Sequence, residues 1–335
     1  MGYKKRKMII EKFKPFIGQH CETTTTGSLL NQIGIELSEP MLFGLGEGLG
    51  YLFWRMKIMN FPFIGGRIKT DKLTENICRN LNLKLEVKET SSSKKAWKNI
   101  EEPLSNGKAV GLKLDCYHLD YFTNKIHFAG HYATMYGYDD KYAYLIDTEQ
   151  QGCQVKTTLN NLELARNEKG PMSSRNLSFT IEQVQKLPAI KQVIKKAIFN
   201  NAMDYLNPPI KNIGYKGIKK TATEIKKWFN TSEDIKEEFQ TSAMLMERAG
   251  TGGALFRNLY KDFLKESYDI LGMEELKEGY ESFKEHAVKW TEISNLFLKI
   301  GETKDEKYVN MASDIFIELS KTEKQTMEKL KEACA

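Results

Sequence analysis

The sequence lacks most of what disulfide scaffolds, zinc modules and membrane proteins require. Its 335 residues include five cysteines, at positions 21, 78, 116, 153 and 334, an odd number with no C-x-x-C spacing. A disulfide framework and a cysteine-based zinc or redox motif are therefore not expected, and no metal site is predicted. No run of about 18 apolar residues is present, so no membrane-spanning helix is predicted. The stretch Met1–Pro15 is basic but leads into no apolar segment with a small-residue cleavage site, which argues against export. The expectation is a soluble, cytoplasmic protein without a membrane partner. Clusters of lysine interleaved with aromatics are also missing. The net charge of +6 is spread along helical patterns, which gives nucleic-acid binding no support. A mildly basic surface suits an acidic partner, such as a carrier protein.

At this length one core is rarely enough, and 41% apolar content can fill two, so two domains are expected. Up to about Ile181 the signals are mixed. A short helical pattern covers Thr24–Gly34. A second apolar run, Met41–Met59, reads as a helix capped by Ser38, with Glu39 and Pro40 in its first turn. Gly44, Gly46, Gly48 and Gly50 alternate through that run. Each costs a helix about 1 kcal/mol, which implies that something approaches this backbone closely. Strands are predicted at Leu83–Val87, Ala109–Leu114, Phe128–Tyr136, Tyr142–Asp147 and Asn176–Ile181, with a helix at Trp97–Leu104. Residues 1–184 thus read as an α+β domain with helices ahead of an antiparallel sheet. From Leu187 onward apolar residues recur only at three- and four-residue spacing, in Ile190–Leu206, Ile218–Phe229, Ile235–Ala249, Ala254–Leu271, Met273–Ile300 and Tyr308–Leu330. Residues 185–335 are therefore predicted to form a helical bundle, with the linker near Lys186, Leu187 and Pro188. Exposed apolar faces on that half would permit a homodimer.

Chemistry gathers around Cys21. It precedes Glu22 and Thr23–Thr26 and so stands at or near a helix N-terminus, where the macrodipole and free backbone N–H groups favour a thiolate and can stabilise an oxyanion. The other four cysteines lack that context. His131 and Asp147 fall on predicted strands joined by the turn signal Gly137–Lys141. With an odd-length loop such as Asp139–Lys141, Asp147 lies opposite Ala133 and shares a sheet face with His131. Diagonal neighbours about 7–8 Å apart let a carboxylate meet an imidazole. A thiol nucleophile, an imidazole base and a carboxylate that orients the base form the minimal set for covalent acyl transfer. His20, His118 and His127 compete for the role of base, whereas His286, deep in a charged helix, reads as part of a solvated face. Gly250, Thr251, Gly252 and Gly253 precede a helix with Arg257 one turn in. They form either an anion cradle, for a pantetheine phosphate for example, or a plain helix–helix turn. Glu47, framed by glycines, would hold an amine or cap backbone amides. Phe43, Tyr51, Phe53 and Trp54 recur at helical spacing and read as core.

The stretches Gly18–Thr23, Gly27–Leu30 and Leu37–Gly48 resemble the N-terminal domain of the butirosin H family. The segment Gly130–Asp147 looks like the His-and-Asp hairpin of bacteriocin-processing cysteine peptidases, to which that family's fold is related. Leu162–Arg166 resembles its closing segment, and Met246–Tyr260 resembles the motif of the accompanying helical domain. The resemblance implies a papain-like cysteine protease fold, with helices and an antiparallel sheet, followed by an all-helical C-terminal domain. It implies Cys21, His131 and Asp147 as a catalytic triad. The implied function is amide-bond formation in natural-product assembly: an acyl group on the phosphopantetheine thioester of a carrier protein passes to Cys21 and then to a small amine. No other cofactor is implied. Similar enzymes attach aminoglycoside side chains or join thioamidated β-alanine peptides to a diamine in closthioamide assembly, and the Lys-, Asn- and Ile-rich composition fits the latter setting. The same triad with water as acceptor would be a peptidase or amidase, and a non-catalytic scaffold is the alternative outside catalysis. One departure stands out. Papain-type peptidases place an oxyanion glutamine about six residues before the nucleophile, whereas that position here is Pro15. Gln19, His20 and the Cys21 N–H are the candidate donors in its place.

Overall fold

A computed structural model describes residues 7–55, 60–170, 173–248 and 253–335. In chain order the first elements are β1 (Met8–Ile9), α1 (Cys21–Gln32), α2 (Glu39–Leu45), β2 (Leu49–Trp54), β3 (Phe63–Arg67), α3 (Lys72–Asn80), β4 (Lys84–Lys88) and α4 (Ser93–Ser105). They are followed by β5 (Val110–Leu114), β6 (His131–Tyr138), β7 (Tyr142–Ile146), β8 (Gln154–Thr158), α5 (Leu159–Asn167) and β9 (Ser178–Glu182). Helices α6 (Ile190–Leu206), α7 (Gly214–Thr231), α8 (Ile235–Arg248), α9 (Ala254–Leu271), α10 (Glu274–Thr303) and α11 (Glu306–Ala333) complete the chain. The architecture is α+β with an antiparallel sheet and a helical C-terminal region. No helix among the described residues is long and apolar enough to cross a membrane.

Contacts divide the chain into two units, one of residues up to Leu42 and from Thr70 to Leu187, the other of Phe43–Lys69 and Pro188–Ala335. In the first, strands run in the order β4-β9-β5-β6-β7-β8, every pair antiparallel, and β1 pairs with the end of β6. The sheet's core side carries Val110, Leu112 and Leu114 from β5, Ala133 and Met135 from β6, and Leu145 from β7. These pack with Ile100 and Leu104 of α4 and Leu162 and Ala165 of α5. Thr134, on the opposite face of β6, donates to the Thr25 carbonyl of α1 at 3.3 Å. Residues Glu22 to Leu30 of α1 are all buried although four of them are threonine, a weak helix former. Tertiary burial overrides local preference here.

The second unit differs from a bundle of helices alone. The expected helix over Met41–Met59 ends at Leu45, and the chain turns through Glu47 (φ 54°) into the β2–β3 hairpin. The alternating glycines explain the break. A Cβ on Gly44 would meet the Phe263 ring at 2.1 Å, and one on Gly50 would meet the Arg67 backbone at 2.7 Å. The hairpin is fastened to the helices through its backbone: Asn201 Nδ2 donates to Leu49 O (2.8 Å), Phe53 N donates to Asn212 O (3.0 Å), and Leu52 bridges Ile213. Phe43, Tyr51 and Phe53 are buried as expected, but Trp54 is exposed. A single split at residue 184 is thus crossed by segment 43–69, whose partners lie among the helices. The second boundary falls between Leu187 and Pro188.

Candidate active site

Cys21 is the first residue of α1, with His20 as an extended N-cap (φ −107°, ψ 131°). The first intrahelical bond runs from Thr24 N to His20 O, so the Cys21 N–H precedes it and belongs to the group of helix-end donors without an intrahelical acceptor. The loop before Cys21 is shaped by Glu39 of α2. Its carboxylate accepts from Gln19 N (2.9 Å), His20 N (2.9 Å) and Thr23 Oγ1 (2.7 Å). Gly18 is needed for this approach, because a Cβ there would meet Glu39 Oε1 at 2.6 Å. On the other side of the loop, Glu149 N donates to Gly18 O (3.1 Å), tying it to the segment just past Asp147.

His131 opens β6. The pairing Thr134↔Ile146, continued one residue, sets Asp147 beside Ala133 and on the face of His131. Asp139–Lys141 separates the two strands as expected, but the register beside it is offset by one residue. Tyr138 pairs with Ala143 across a four-residue turn closed by Asp139 N to Tyr142 O, and a bulge between Met135 and Gly137 takes up the extra residue. His131 Nε2 and Asp147 Oδ2 are 2.7 Å apart, and Asp147 is fully buried. A carboxylate only accepts, so Nε2–H donates and Nδ1 is the nitrogen left for proton exchange.

Two loop residues that sequence reading missed complete this pair. Tyr121 donates its hydroxyl to the same Asp147 Oδ2 at 2.7 Å, and Phe122 stands edge-on to the His131 ring at 5.1 Å. Thr148 N donates to Oδ1 at 2.7 Å. Neither aromatic lies in a recognisable motif. They belong to the irregular stretch between β5 and β6, where no periodicity marks a residue's neighbours.

Burial is the largest influence on His131 and lowers its pKa. The negative charge of Asp147, together with its hydrogen bond, outweighs it, holding the imidazole well above its ordinary value. Cys116 is a second thiol in this neighbourhood, coupled to His131, Cys21 and Asp147. Burial pushes it up to about 12, so it stays a neutral thiol near pH 7. Cys21 is partly exposed and free, as are the remaining cysteines in the sense of forming no disulfide.

The other candidates separate. Gln19 has an exposed side chain next to the nucleophile, whereas His20 is buried, with its N–H given to Glu39 and its ring Nδ1 3.5 Å from Thr23 Oγ1. Glu47 and Arg257 belong to the second unit. Glu47 is buried and accepts from Asn200 Nδ2 at 2.9 Å. Arg257 is a correction to the anion-cradle reading. It is fully buried, paired with Glu323 through Nε (3.0 Å) and Nη2 (2.8 Å), bonded through Nη1 to Gly50 O and Gly66 O, and stacked over Trp290. With its donors so committed, it holds the β2–β3 hairpin to the helices. Thr251 lies outside the described residues, as do its neighbours Gly250 and Gly252. His286 is also corrected: it is buried rather than solvated, edge-on to Phe283, and burial lowers its pKa. His118 pairs with Glu168, and His127 is exposed and stacked on Tyr117.

A family model described as Domain of unknown function (DUF4872) matches residues 160–330, just over half the chain. A second, described as Butirosin biosynthesis protein H, N-terminal, matches residues 20–148 and so spans Cys21, His131 and Asp147. The chain belongs to the DUF4872 family, and its residues 20–148 are similar to the N-terminal domain of butirosin biosynthesis protein H. No curated protein matches it in sequence.

Proposed function

We propose that the chain is an amide-bond-forming acyltransferase of natural-product biosynthesis, with a papain-like catalytic unit and Cys21, His131 and Asp147 as its triad. The observation that carries this reading is the 2.7 Å His131–Asp147 bond in the same unit as a partly exposed thiol on the first residue of a buried helix. The N-terminal family match supports the biosynthetic setting.

In the first step the Cys21 thiolate attacks the carbonyl of an acyl thioester on a carrier protein's phosphopantetheine. A new C–S bond forms, the old one breaks, and His131 gives its Nδ1 proton to the departing thiol. In the second step an amine attacks the acyl-Cys21 carbonyl while His131 removes the amine proton. The C–N bond forms and Cys21 leaves as thiolate. The oxyanion of each step is held by the Cys21 N–H and the Gln19 side-chain amide. Thiol–thioester exchange is nearly balanced in energy, so aminolysis supplies the downhill step. We take the setting to be cytoplasmic, consistent with thiols that form no disulfide, and favour closthioamide-type assembly on the chain's composition.

Incubation with an acyl thioester, followed by intact-mass measurement, should show one acyl adduct on the wild type and none on Cys21→Ala. Adding a saturating amine should convert the adduct to amide. Free acid as the main product would make the chain a hydrolase, and unchanged turnover by Cys21→Ala would remove covalent catalysis.

A further inference from the structure

His118, His127 and Glu168 come together from three places in the first unit. His118 closes the short 3-10 turn after β5, His127 lies on the loop before β6, and Glu168 follows the last residue of α5. One ligand atom from each lies within 4.8 Å of the other two. His118 Nε2 is already 2.6 Å from Glu168 Oε2. Atoms bound at about 2.1 Å around a tetrahedral ion are about 3.4 Å apart, so small side-chain rotations close the set. The buried Asp115 lies 3.4 Å from Nδ1 of His127, where an outer carboxylate orients a metal-bound imidazole, and Tyr117 stacks on the same ring at 4.0 Å.

We propose that His118, His127 and Glu168 form a binding site for a divalent transition-metal ion of the zinc class, two imidazoles and one carboxylate with an open fourth position. Imidazole and carboxylate ligands suit zinc, and the absence of cysteine from the set leaves the site open rather than caged. Its place in the chain gives the ion a task. His118 and His127 bracket residues 119–126, which carry Tyr121 and Phe122 against Asp147 and His131. Within this span the chain is anchored by Asp120, which accepts from Thr158 N and Thr157 Oγ1, but its tip, including Lys125 and Ile126, is exposed. An ion shared by His118, His127 and Glu168 fastens both ends of the loop to the end of α5. The metal site stands independently of the acyl-transfer reading.

The test uses full-length protein carrying Cys21→Ala, which removes the thiol that would compete for metal beside His131. Zinc chloride is titrated calorimetrically into the metal-free protein, and cobalt(II) is followed by its visible spectrum. One equivalent should bind, with a cobalt spectrum free of thiolate charge transfer. The added pair His118→Ala/His127→Ala should weaken binding by at least about tenfold, or about 1.4 kcal/mol. Zinc should slow trypsin cleavage after Lys125 in the parent and leave it unchanged in the variant. Circular dichroism checks folding, and Glu168→Gln replaces the pair should that variant unfold. No binding up to about 100 µM zinc, about −5.5 kcal/mol, would overturn the proposal, as would equal affinity in parent and variant.

Discussion

Asp147 divides its two oxygens among three donors, Thr148 N on Oδ1 and both the Tyr121 hydroxyl and the His131 ring on Oδ2. A hydrogen bond to a charged group contributes about 1.5–3 kcal/mol, and the Tyr121 bond shares its acceptor atom with the bond that orients the base. Tyr121→Phe should therefore lower kcat/KM by roughly 10-fold and lower the thermal midpoint by a few degrees, as steady-state kinetics and a melting curve would show. Asp147→Asn acts on the proton itself. The His131 imidazolium is held well above the ordinary value of about 6.5, so the alkaline limb of the kcat/KM profile should lie well above that pH. Removing the charge of Asp147 should move that limb toward lower pH. The linkage has the same sign for stability: the pair's contribution is complete below about pH 6.5 and is lost as pH rises through the raised folded value. An alkaline limb at the same pH in both proteins would assign it to another group. The pairing of His131 with Asp147 was legible in the sequence because strand alternation has a strict period of two, so two residues and a turn determine a face. Tyr121 and Glu39 were not legible, since one sits on an irregular loop and the other looked like a helix-dipole residue.

At the scale of single elements, the run after Ser38 shows where periodicity misleads. Apolar residues continue from Met41 into the β2–β3 hairpin with Glu47 as the one charged residue among them, and the glycines mark the change. Gly44 is the clearest of them. Replacing it by alanine would favour the helix by about 1 kcal/mol, but the added Cβ meets the Phe263 ring at 2.1 Å, and overpacking of this kind costs about 1–3 kcal/mol or more. Gly44→Ala should thus be net destabilising in a denaturant melt. Arg257 offers a stronger test. Its loss leaves the Glu323 carboxylate buried beside Trp290 Nε1 and the Tyr205 hydroxyl, without a cation. Arg257→Met is expected to cost about 3–5 kcal/mol, and Arg257→Met/Glu323→Gln less, because the second change removes the stranded charge. Equal losses in the two variants would show that the carbonyls of Gly50 and Gly66, rather than the charge, set the cost. Burial is the largest influence on Glu323 and raises its pKa, but Arg257 and neighbouring donors outweigh it and hold the carboxyl below its usual value. This contribution is present above about pH 4.3 and lost as pH falls through the lowered folded value.

For the whole molecule, the consequence is that the helical half is not complete from its own stretch of sequence. Helices α6 to α11 were legible individually from their apolar spacing, yet spacing says nothing about a hairpin contributed from residues 43–69. That segment supplies the acceptors for Arg257 Nη1 and Asn201 Nδ2 and places Tyr51, fully buried, against Thr221 Oγ1 at 2.6 Å. A fragment of residues 188–335 therefore exposes a buried arginine's donors and the apolar faces that cover Phe43, Tyr51 and Phe53. Unpaired buried polar groups cost about 1–3 kcal/mol each, comparable in sum to the total stability of an ordinary domain. The fragment should retain helical circular dichroism but give a broad, weakly cooperative melt. Joining 43–69 to 188–335 through a Gly/Ser linker of about 20 residues, which spans roughly 25 Å on average, should restore a single sharp transition. A cooperative melt from 188–335 alone would mean that the helices close on themselves and that the hairpin is an appendage.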